Sequence, residues 1–294
     1  MKTLNLVILV LLINCLIAPF AVGQSLEERL EALTEQNSGY LQPLADAVGA
    51  NLNSGLYHTA KVKKRGIHFY IGLEAVGAII SDDQRVFNAV DDLGNEIEDV
   101  PTIFGPEEST PVNIGGATVN LPKGFNLKMF PIVAPRLTIG SLMGTELLLR
   151  VVELNIGQDF GKFNMTGYGI RHSISQYFPL SPLDLSFTLF VQDIKIGDIV
   201  SISTHYFGVQ ASKKFLALEL YGGVGMEGAS LKAEYTFDPE IPGVAPRELE
   251  YSLDSKNRTR LNVGVTFHLL LLKLHADYNL ASQKTFVVGA GIGL

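Results

Sequence analysis

The strongest constraint on the fold is an alternation of apolar and polar side chains over residues 271–294. Leu272, Leu274 and Phe286 lie at one set of alternate positions, whereas Lys273 and Asp277 lie at the other. Successive side chains of a β-strand point to opposite faces, so this period of two predicts two strands with one apolar face. Each strand is about ten residues long, which is enough to cross a bilayer when tilted. The pattern predicts the closing hairpin of an all-β fold, a closed antiparallel transmembrane β-barrel.

The composition fits such a barrel, because apolar residues are abundant but are not concentrated in one segment. Hydrophobic residues make up 47% of the chain, mean hydropathy is +0.23 and charged residues make up 18%, against about 25% in an average soluble domain. Beyond residue 24 no apolar stretch reaches the roughly 18 residues of a membrane helix. A soluble β-sandwich, which would bury the same residues between two sheets, is the alternative fold. The net charge of −7 argues against nucleic-acid binding.

Residues 1–23 have the features of a secretory signal peptide. Lys2 gives a positive start, residues 6–13 form an apolar run, and small residues lead to a predicted cleavage near Gly23. A secreted barrel protein is expected in the outer membrane of a Gram-negative bacterium. The single cysteine, Cys15, lies within the signal peptide. Cleavage would therefore leave a mature chain without disulfides or thiol chemistry.

Residues 24–66 are predicted to form an N-terminal helical segment in front of the barrel. Ser25 begins a capping box at the start of a short helix. A second helix is predicted over residues 40–53, with Pro43 near its start and apolar residues at helical spacing. The segment is interpreted either as a periplasmic helix or as a plug in the barrel mouth. The basic run at residues 61–65 is interpreted as a solvated turn at the membrane edge.

The barrel is predicted to occupy residues 67–294 and to contain ten strands, an even number as in single-chain bacterial barrels. The predicted strands are residues 67–80, 117–130, 137–152, 160–178, 183–191, 199–212, 215–237, 249–268, 271–280 and 285–294. The acidic stretch 81–116 is predicted to be a long external loop. Residues 131–135, with a proline at each end, are predicted to form a stiff turn on the opposite side.

Charged side chains within the predicted strands must point into the lumen, because lipid does not accept them. The predicted lumen charges are Glu74, Glu146, Arg150, Arg171, Arg260, Lys273 and Asp277, together with Glu219. Their mixed signs predict ion pairs that fill a narrow or plugged barrel rather than a wide pore. Gly289, Gly291 and Gly293 leave space on the inner face beside the seam between the first and last strands. A plug or a ligand is predicted to lie there.

One predicted strand, residues 160–178, does not fit a single register if its apolar residues face lipid. Phe163 and Met165 would have to face outward while Arg171 faces the lumen, although all three occupy the same set of alternate positions. A β-bulge near Gly167 is predicted to reconcile them.

No arrangement of residues predicts catalysis, a metal site or a cofactor. Arg171-His172-Ser173 and His275-x-Asp277 place triad-type residues on strands, but neither a nucleophile elbow nor metal-ligand spacing accompanies them. The chain is therefore predicted not to be an enzyme. A membrane-embedded hydrolase, with His172 as the first suspect, is the least favoured alternative.

Short motifs lie at residues 40–44, 49–55, 144–147, 169–177 and 276–279. These motifs resemble an uncharacterised family of secreted Bacteroidota proteins, which are predicted outer-membrane barrels with a domain of unknown function. The resemblance covers most of the mature chain and implies a location and a fold without an activity. More distantly, a signal, a helical segment and a barrel resemble the FadL-type transporters of hydrophobic compounds. This chain is shorter and has fewer predicted strands, so the ligand-binding residues of those transporters are not carried over.

The favoured functional prediction is passive passage or binding of a small hydrophobic compound, with the N-terminal segment as gate. The predicted gate residues are Tyr40, Pro43, Asn51 and Asn53. The alternative is a structural or adhesive barrel that acts through the external loop 81–116. The expected partners are outer-membrane lipid, the barrel-assembly machinery and a small hydrophobic ligand, with no nucleic acid and no cofactor.

Overall fold

The structure is a computed structural model that describes residues 39–91, 93–114, 117–155, 162–197, 200–237 and 247–294. The predicted signal peptide at residues 1–23 and the short helix predicted from Ser25 lie outside the described residues. Among the described residues, no helix is long and apolar enough to cross a membrane.

Most of the described chain is β-strand. The elements are α1 (Gln42–Leu52), β1 (His68–Ile79), β2 (Val86–Val90), β3 (Glu96–Pro101), β4 (Thr110–Ile114), β5 (Ala117–Leu121), β6 (Met129–Leu142), β7 (Thr145–Asn155), β8 (Lys162–Ser173), β9 (Asp184–Ile196), β10 (Val200–Phe215), β11 (Leu218–Phe237), β12 (Arg247–Asp254), β13 (Thr259–Leu269), β14 (Leu272–Leu280) and β15 (Thr285–Gly293). Two short 3-10 helices cover Asp82–Gln84 and Ser175–Tyr177.

The strands close into a barrel. Hydrogen bonds join them in the order β10, β9, β8, β7, β6, β1, β15, β14, β13 and β11, and a further pairing between β10 and β11 completes the ring. β12 pairs with the C-terminal half of β11, and β13 pairs with its N-terminal half. β12 and β13 therefore act as one interrupted strand of the barrel. The predicted closed antiparallel barrel of ten strands is therefore confirmed. The first and last strands, β1 and β15, meet at the predicted seam.

The barrel is apolar outside and polar over much of its inside, as the alternation predicts. Along β15, Thr285 and Val287 are buried whereas Phe286 and Val288 are exposed. Closing the sheet pairs its two outermost strands with each other, which reduces the unpaired backbone groups that a bilayer does not accept. An apolar band around a closed barrel is the surface that faces lipid in membrane barrels.

The two ends of the barrel differ, and we call them the loop end and the turn end. The loop end carries the long connection 80–128, which contains the hairpins β2–β3 and β4–β5. The turn end carries tight turns at residues 143–144, 216–217 and 270–271. Antiparallel strands alternate in direction, so the connection between β14 and β15 also lies at the loop end.

Two predictions for the region before β7 are wrong. Residues 117–130 do not form a barrel strand, because β5 pairs with β4 in a small hairpin within the long connection. Residues 131–135 do not form a turn, because β6 runs through both prolines and pairs with β1 along its length. The tight turn lies instead at Met143 and Gly144, which both have positive φ. The single strand predicted over residues 137–152 is therefore wrong too, because this turn divides it between β6 and β7. Proline interrupts a strand that is paired on both sides, but a strand edge without a partner tolerates it.

Among the described residues, the seam between β6 and β7 is incomplete. Their ladder stops at the Leu137–Leu149 pair, although both strands continue towards the loop end. The backbone N–H and C=O groups of even-numbered residues in β6 point towards β1. Those of odd-numbered residues therefore point towards β7, and this includes the ring nitrogens of Pro131 and Pro135. Proline has no N–H to donate, which explains why the ladder ends there.

The predicted bulge in β8 is wrong as well. β8 keeps one continuous register with β7 and with β9. Phe163, Met165 and Arg171 are therefore all on the inner face, and all three are buried. The prediction assumed that apolar residues face lipid, whereas the loop-end half of this lumen is itself apolar.

Candidate functional site

Residues 39–66 run through the lumen from the loop end to the turn end. α1 fills the loop-end half, with Pro43 in its first turn and almost every side chain buried. Residues 53–60 continue through the middle of the barrel, where all of them are buried. The backbone then leaves at the turn end, where Gly144 donates to the carbonyl of Lys64, and β1 begins.

Arg150 of β7 holds the end of α1 through backbone carbonyls. Its Nη1 donates to Leu52 O at 2.8 Å, and its Nη2 donates to Ser54 O at 2.7 Å and to Gly55 O at 3.0 Å. The side chain is 1% exposed and makes no ion pair among the residues that the structure describes. Carbonyl groups at a helix C-terminus carry partial negative charge, so they compensate the guanidinium.

Arg260 of β13 holds the same stretch from the opposite wall. It donates to Asn53 O at 2.8 Å, to Ala50 O at 2.8 Å and to Ser54 Oγ at 2.7 Å. Glu227 of β11 lies 2.7 Å from its Nη2. This acid pairs the buried charge, which would otherwise be costly to desolvate.

Arg136 of β6 forms the third contact and is the centre of a buried network. It donates to Glu74 at 2.9 Å and to Leu56 O at 3.0 Å, and its Nη2 lies 2.7 Å from His58 Nδ1. The other oxygen of Glu74 lies 2.6 Å from His275 Nε2. The network therefore joins β1, β6, β14 and the lumen segment.

Arg171 of β8 forms the fourth contact, nearer the turn end. It donates to Thr59 O at 2.7 Å and to Glu146 Oε2 at 3.0 Å. Glu146 also contacts His68 of β1. Arginines from four strands thus bind the backbone of residues 50–59, and we call this set (Arg136, Arg150, Arg171 and Arg260) the arginine clamp.

The loop-end half of the lumen is lined by apolar side chains from the wall as well as from α1. Phe163 and Met165 of β8, Ile194 of β9 and Leu231 of β11 all point inward and are at most 4% exposed. They form one hydrophobic cluster with α1 residues such as Val48. We call the wall part of this cluster the apolar inner wall.

The predicted gate residues all lie on the lumen segment. Tyr40 donates through its hydroxyl to Lys123 O at 3.1 Å, which ties the start of the segment to the long connection. Pro43 is buried in the first turn of α1. Asn51 donates to Phe130 O at 2.7 Å, and Asn53 lies 3.3 Å from Gly228 O.

Two glycines let the segment approach the wall. A Cβ on Gly49 would lie 2.5 Å from the Cβ of Ala229, so any side chain there would push α1 off β11. Gly55 has a φ of +64°, a conformation that glycine adopts without strain.

The remaining predicted lumen charges are Lys273 and Asp277 on β14 and Glu219 on β11. Glu219 lies 2.8 Å from His268 Nε2. Asp277 accepts from Tyr221 at 2.9 Å and from Asn262 at 2.9 Å. Lys273 is half-buried, and its Nζ lies 5.8 Å from the centre of the Tyr70 ring.

The space left by the β15 glycines is filled by neighbouring strands rather than by the lumen segment. A Cβ on Gly291 would lie 2.5 Å from the Tyr70 hydroxyl, and one on Gly289 would lie 2.2 Å from His275 Nε2.

Sequence reasoning missed Arg136 and Glu227, two members of the buried ion pairs. Arg136 directly follows the stretch that we assigned to a turn, so its inward direction was not considered. Its alternation with Ala134 and Thr138, which are also buried, would have identified it once the strand was recognised.

The triad-type residues do not come together as a catalytic set. His172 Nδ1 lies 2.7 Å from Thr145 Oγ1, and its Nε2 lies 3.0 Å from the Tyr177 hydroxyl. His275 contacts Glu74 whereas Asp277 contacts Tyr221. Within the described part of the chain, no group of His, Cys, Asp or Glu has the geometry to hold a metal ion.

These features define a closed β-barrel whose lumen is filled by its own N-terminal segment. The chain belongs to a family of unknown function, DUF6588, which matches residues 1–294. The origin in Bacteroidota and the likeness to FadL-type transporters stay predictions. No curated protein matches the chain.

Solved barrel structures show a weak overall likeness. A loop L8 deletion mutant of OmpT, an outer membrane protein of Vibrio cholerae, is 10% identical with a TM-score of 0.29, covering 78% of this chain and 98% of that one. Neisserial surface protein A is 10% identical with a TM-score of 0.26, covering 78% and 99%. A mutant porin of Rh. blastica is 11% identical with a TM-score of 0.17, covering 78% and 99%. The fold described above rests on the strand registers and not on these similarities.

Proposed function

We propose that the protein is an outer-membrane barrel that binds and passes a small hydrophobic compound, with residues 39–66 as its gate. The observation that carries this proposal is the apolar inner wall. A barrel filled only by ion pairs, or by water, needs polar side chains on its inner face. Here Phe163, Met165 and Leu231 face inward in the loop-end half, and they form one apolar cluster with α1 and with Ile103 and Phe104 of the long connection.

The two halves of the lumen segment are held differently, which favours α1 as the moving part. Residues 50–59 are bound by charged hydrogen bonds from the arginine clamp. The start of α1 has no side-chain N-cap. Three hydrogen bonds, at Gln42 and Asp46, join it to residues 254–257, and its remaining contacts with the wall are apolar packing. A hydrophobic compound can replace such contacts at little cost, whereas it cannot replace the hydrogen bonds of the clamp.

The incomplete seam supports the same function. Ile132 and Ala134 of β6 belong to the apolar cluster, and Val152 and Leu154 of β7 pack against it. The ladder between these two stretches is missing. The apolar part of the lumen therefore lies beside a stretch of wall that lacks its backbone ladder.

A disulfide between α1 and the wall tests the gate. A Cβ on Gly49 would lie 3.4 Å from Ser255 Cβ, close to the separation of a disulfide. The variant G49C/S255C needs A229G as well, because a Cβ on Gly49 would otherwise contact Ala229. Cys15 is the only native cysteine and lies in the predicted signal peptide, so no native thiol competes.

In liposomes, we expect the oxidised triple variant neither to bind nor to pass the apolar dye phenylnaphthylamine. Reduction of the disulfide should restore both binding and flux of the dye. The matched control is G49C/A229G, which cannot form the bond and should respond to neither treatment. Equal dye binding and flux in the oxidised and reduced triple variant would contradict α1 as the gate.

The alternative function, adhesion through loop 81–116, is favoured by a separate observation. The loop is a folded unit, because the hairpins β2–β3 and β4–β5 share a small hydrophobic core of Ala89, Val100, Val112 and Leu121. Deleting residues 86–101 should abolish surface binding by intact cells while the barrel still migrates as a heat-modifiable band. Unchanged surface binding by the deletion variant would reject this alternative.

A further inference from the structure

A cavity opens at the turn end, at the opposite end of the lumen from the apolar inner wall. Its volume is about 380 Å³, and it lies between residues 58–63 of the lumen segment and the inner faces of β1, β6 and β14. This is within the lower part of the range of small-molecule sites, about 300–1,000 Å³. We call it the turn-end cavity.

Positive charge dominates the turn-end cavity. The lysines that line it are Lys61, Lys63, Lys214 and Lys273. None of them is in an ion pair among the described residues.

The two carboxylates of the turn-end cavity already have partners. Glu146 pairs with Arg171 at 2.5 Å, and Glu219 lies 2.8 Å from His268 Nε2. The lysines therefore leave an excess of positive charge that attracts an anion.

Unpartnered donors lie in the wall of the same cavity. Arg136 Nη2 lies 2.7 Å from His58 Nδ1, and a guanidinium can only donate, so Nδ1 accepts. The neutral ring then carries its hydrogen on Nε2, which has no partner although His58 is 3% exposed. The Thr138 hydroxyl, in a residue that is also 3% exposed, has no partner either. Buried donors without acceptors are costly, and an anionic oxygen would satisfy them.

We propose that the turn-end cavity binds an oxyanion, a phosphate or carboxylate group, through His58 Nε2 and the Thr138 hydroxyl, with the lysines at its mouth. Two sources of this group can reach it. Leu216 and Leu270 on neighbouring turns are 97% and 98% exposed, as expected for apolar side chains that contact a membrane beside the mouth of the cavity. A soluble anion reaches it from the aqueous side, and a lipid headgroup reaches it from the membrane.

The first test is calorimetric titration of the full chain with inorganic pyrophosphate in an uncharged detergent. We expect one site, and we expect T138V to weaken it about tenfold, as for a hydrogen bond to a charged group. T138V removes no hydrogen bond of the protein, so the barrel should fold. The matched control is T204V, because Thr204 also carries a buried hydroxyl without a partner but does not line the cavity.

A second pair of variants tests the role of charge. K273Q removes a lysine of the cavity, whereas K232Q removes an exposed lysine of β11 on the loop-end side. We expect K273Q to weaken pyrophosphate binding several-fold and to reduce its salt dependence, with no change in K232Q. Absence of pyrophosphate binding, or equal affinity in T138V, T204V and the wild type, would overturn the proposal.

The same titration in micelles that contain phosphatidylglycerol identifies the source. Displacement of pyrophosphate by this lipid assigns the oxyanion to a lipid headgroup, and undiminished binding assigns it to a soluble compound. Either result supports an oxyanion site in the turn-end cavity.

Discussion

Arg150→Met is the substitution that should most directly release the lumen segment. The variant keeps a long apolar side chain but removes the three donors that reach Leu52, Ser54 and Gly55. Each buried carbonyl left without its donor costs about 1–3 kcal/mol. Substitution by methionine offsets part of this free-energy cost, because a buried charge no longer has to be desolvated. We expect a net loss of about 4 kcal/mol in docking of the segment, which is roughly a thousandfold in its closed-to-open ratio.

Chymotrypsin cleavage measures that ratio, because Leu56 and Tyr57 are buried while the segment is docked. When opening is faster than cleavage, the cleavage rate follows the open population. Cleavage of R150M should therefore be faster by two to three orders of magnitude, on the basis of the same estimate. Arg150→Lys, which keeps the charge but not the three-way geometry, should give a smaller increase.

The matched control for this measurement is Arg85→Met. The side chain of Arg85 donates to Phe104 O and Asn126 Oδ1 and pairs with Asp82, and these three partners all lie in the long connection. Chymotrypsin should cleave the R85M variant at the same rate as the wild type. Cleavage of R150M at the wild-type rate would refute the idea that carbonyl contacts from the clamp hold the segment.

Three further substitutions should act through the packing and charges of the lumen. Glu74→Gln leaves the buried Arg136 without its acid, so thermal unfolding should show a loss of about 3–5 kcal/mol. Met165→Ala should weaken α1 docking by about 2–5 kcal/mol and speed chymotrypsin cleavage, whereas the exposed Val151→Ala should not. Gly289→Val should block assembly of the heat-modifiable barrel, because an added Cβ would lie 1.9 Å from Glu74 Oε2.

The alternation of side chains was enough to predict the barrel, its seam and the inward direction of the strand charges. Those inferences depend on the period of two and on the exclusion of charge from lipid, which are local properties of each strand. The hairpin β14–β15 has the predicted faces, with Leu272 and Phe286 outward and Asp277 inward.

The predictions that are wrong concern features that depend on contacts between distant parts of the chain. Phe163 and Met165 face inward because α1 supplies an apolar partner inside the barrel, and nothing local to β8 reveals that partner. Residues 131–135 were predicted to be a turn because the missing ladder between β6 and β7, which accommodates the prolines, is a property of two strands together. Arg136 was missed for the same reason.

The arginine clamp could be predicted only in part. Arg150, Arg171 and Arg260 were predicted to face the lumen as members of ion pairs. Their main partners in the lumen segment are backbone carbonyls, and every residue type supplies a carbonyl. No pattern of side chains can therefore identify them as the groups that bind the segment.

Hydrogen exchange of the full-length protein in lipid nanodiscs tests most directly whether residues 39–66 fill the lumen. The structure predicts that peptides from residues 44–60 exchange as slowly as peptides from β13 and β14. Peptides around Leu93, an exposed residue of the long connection, should exchange within seconds. Exchange of residues 44–60 at that fast rate would place the segment outside the barrel and contradict the plugged lumen.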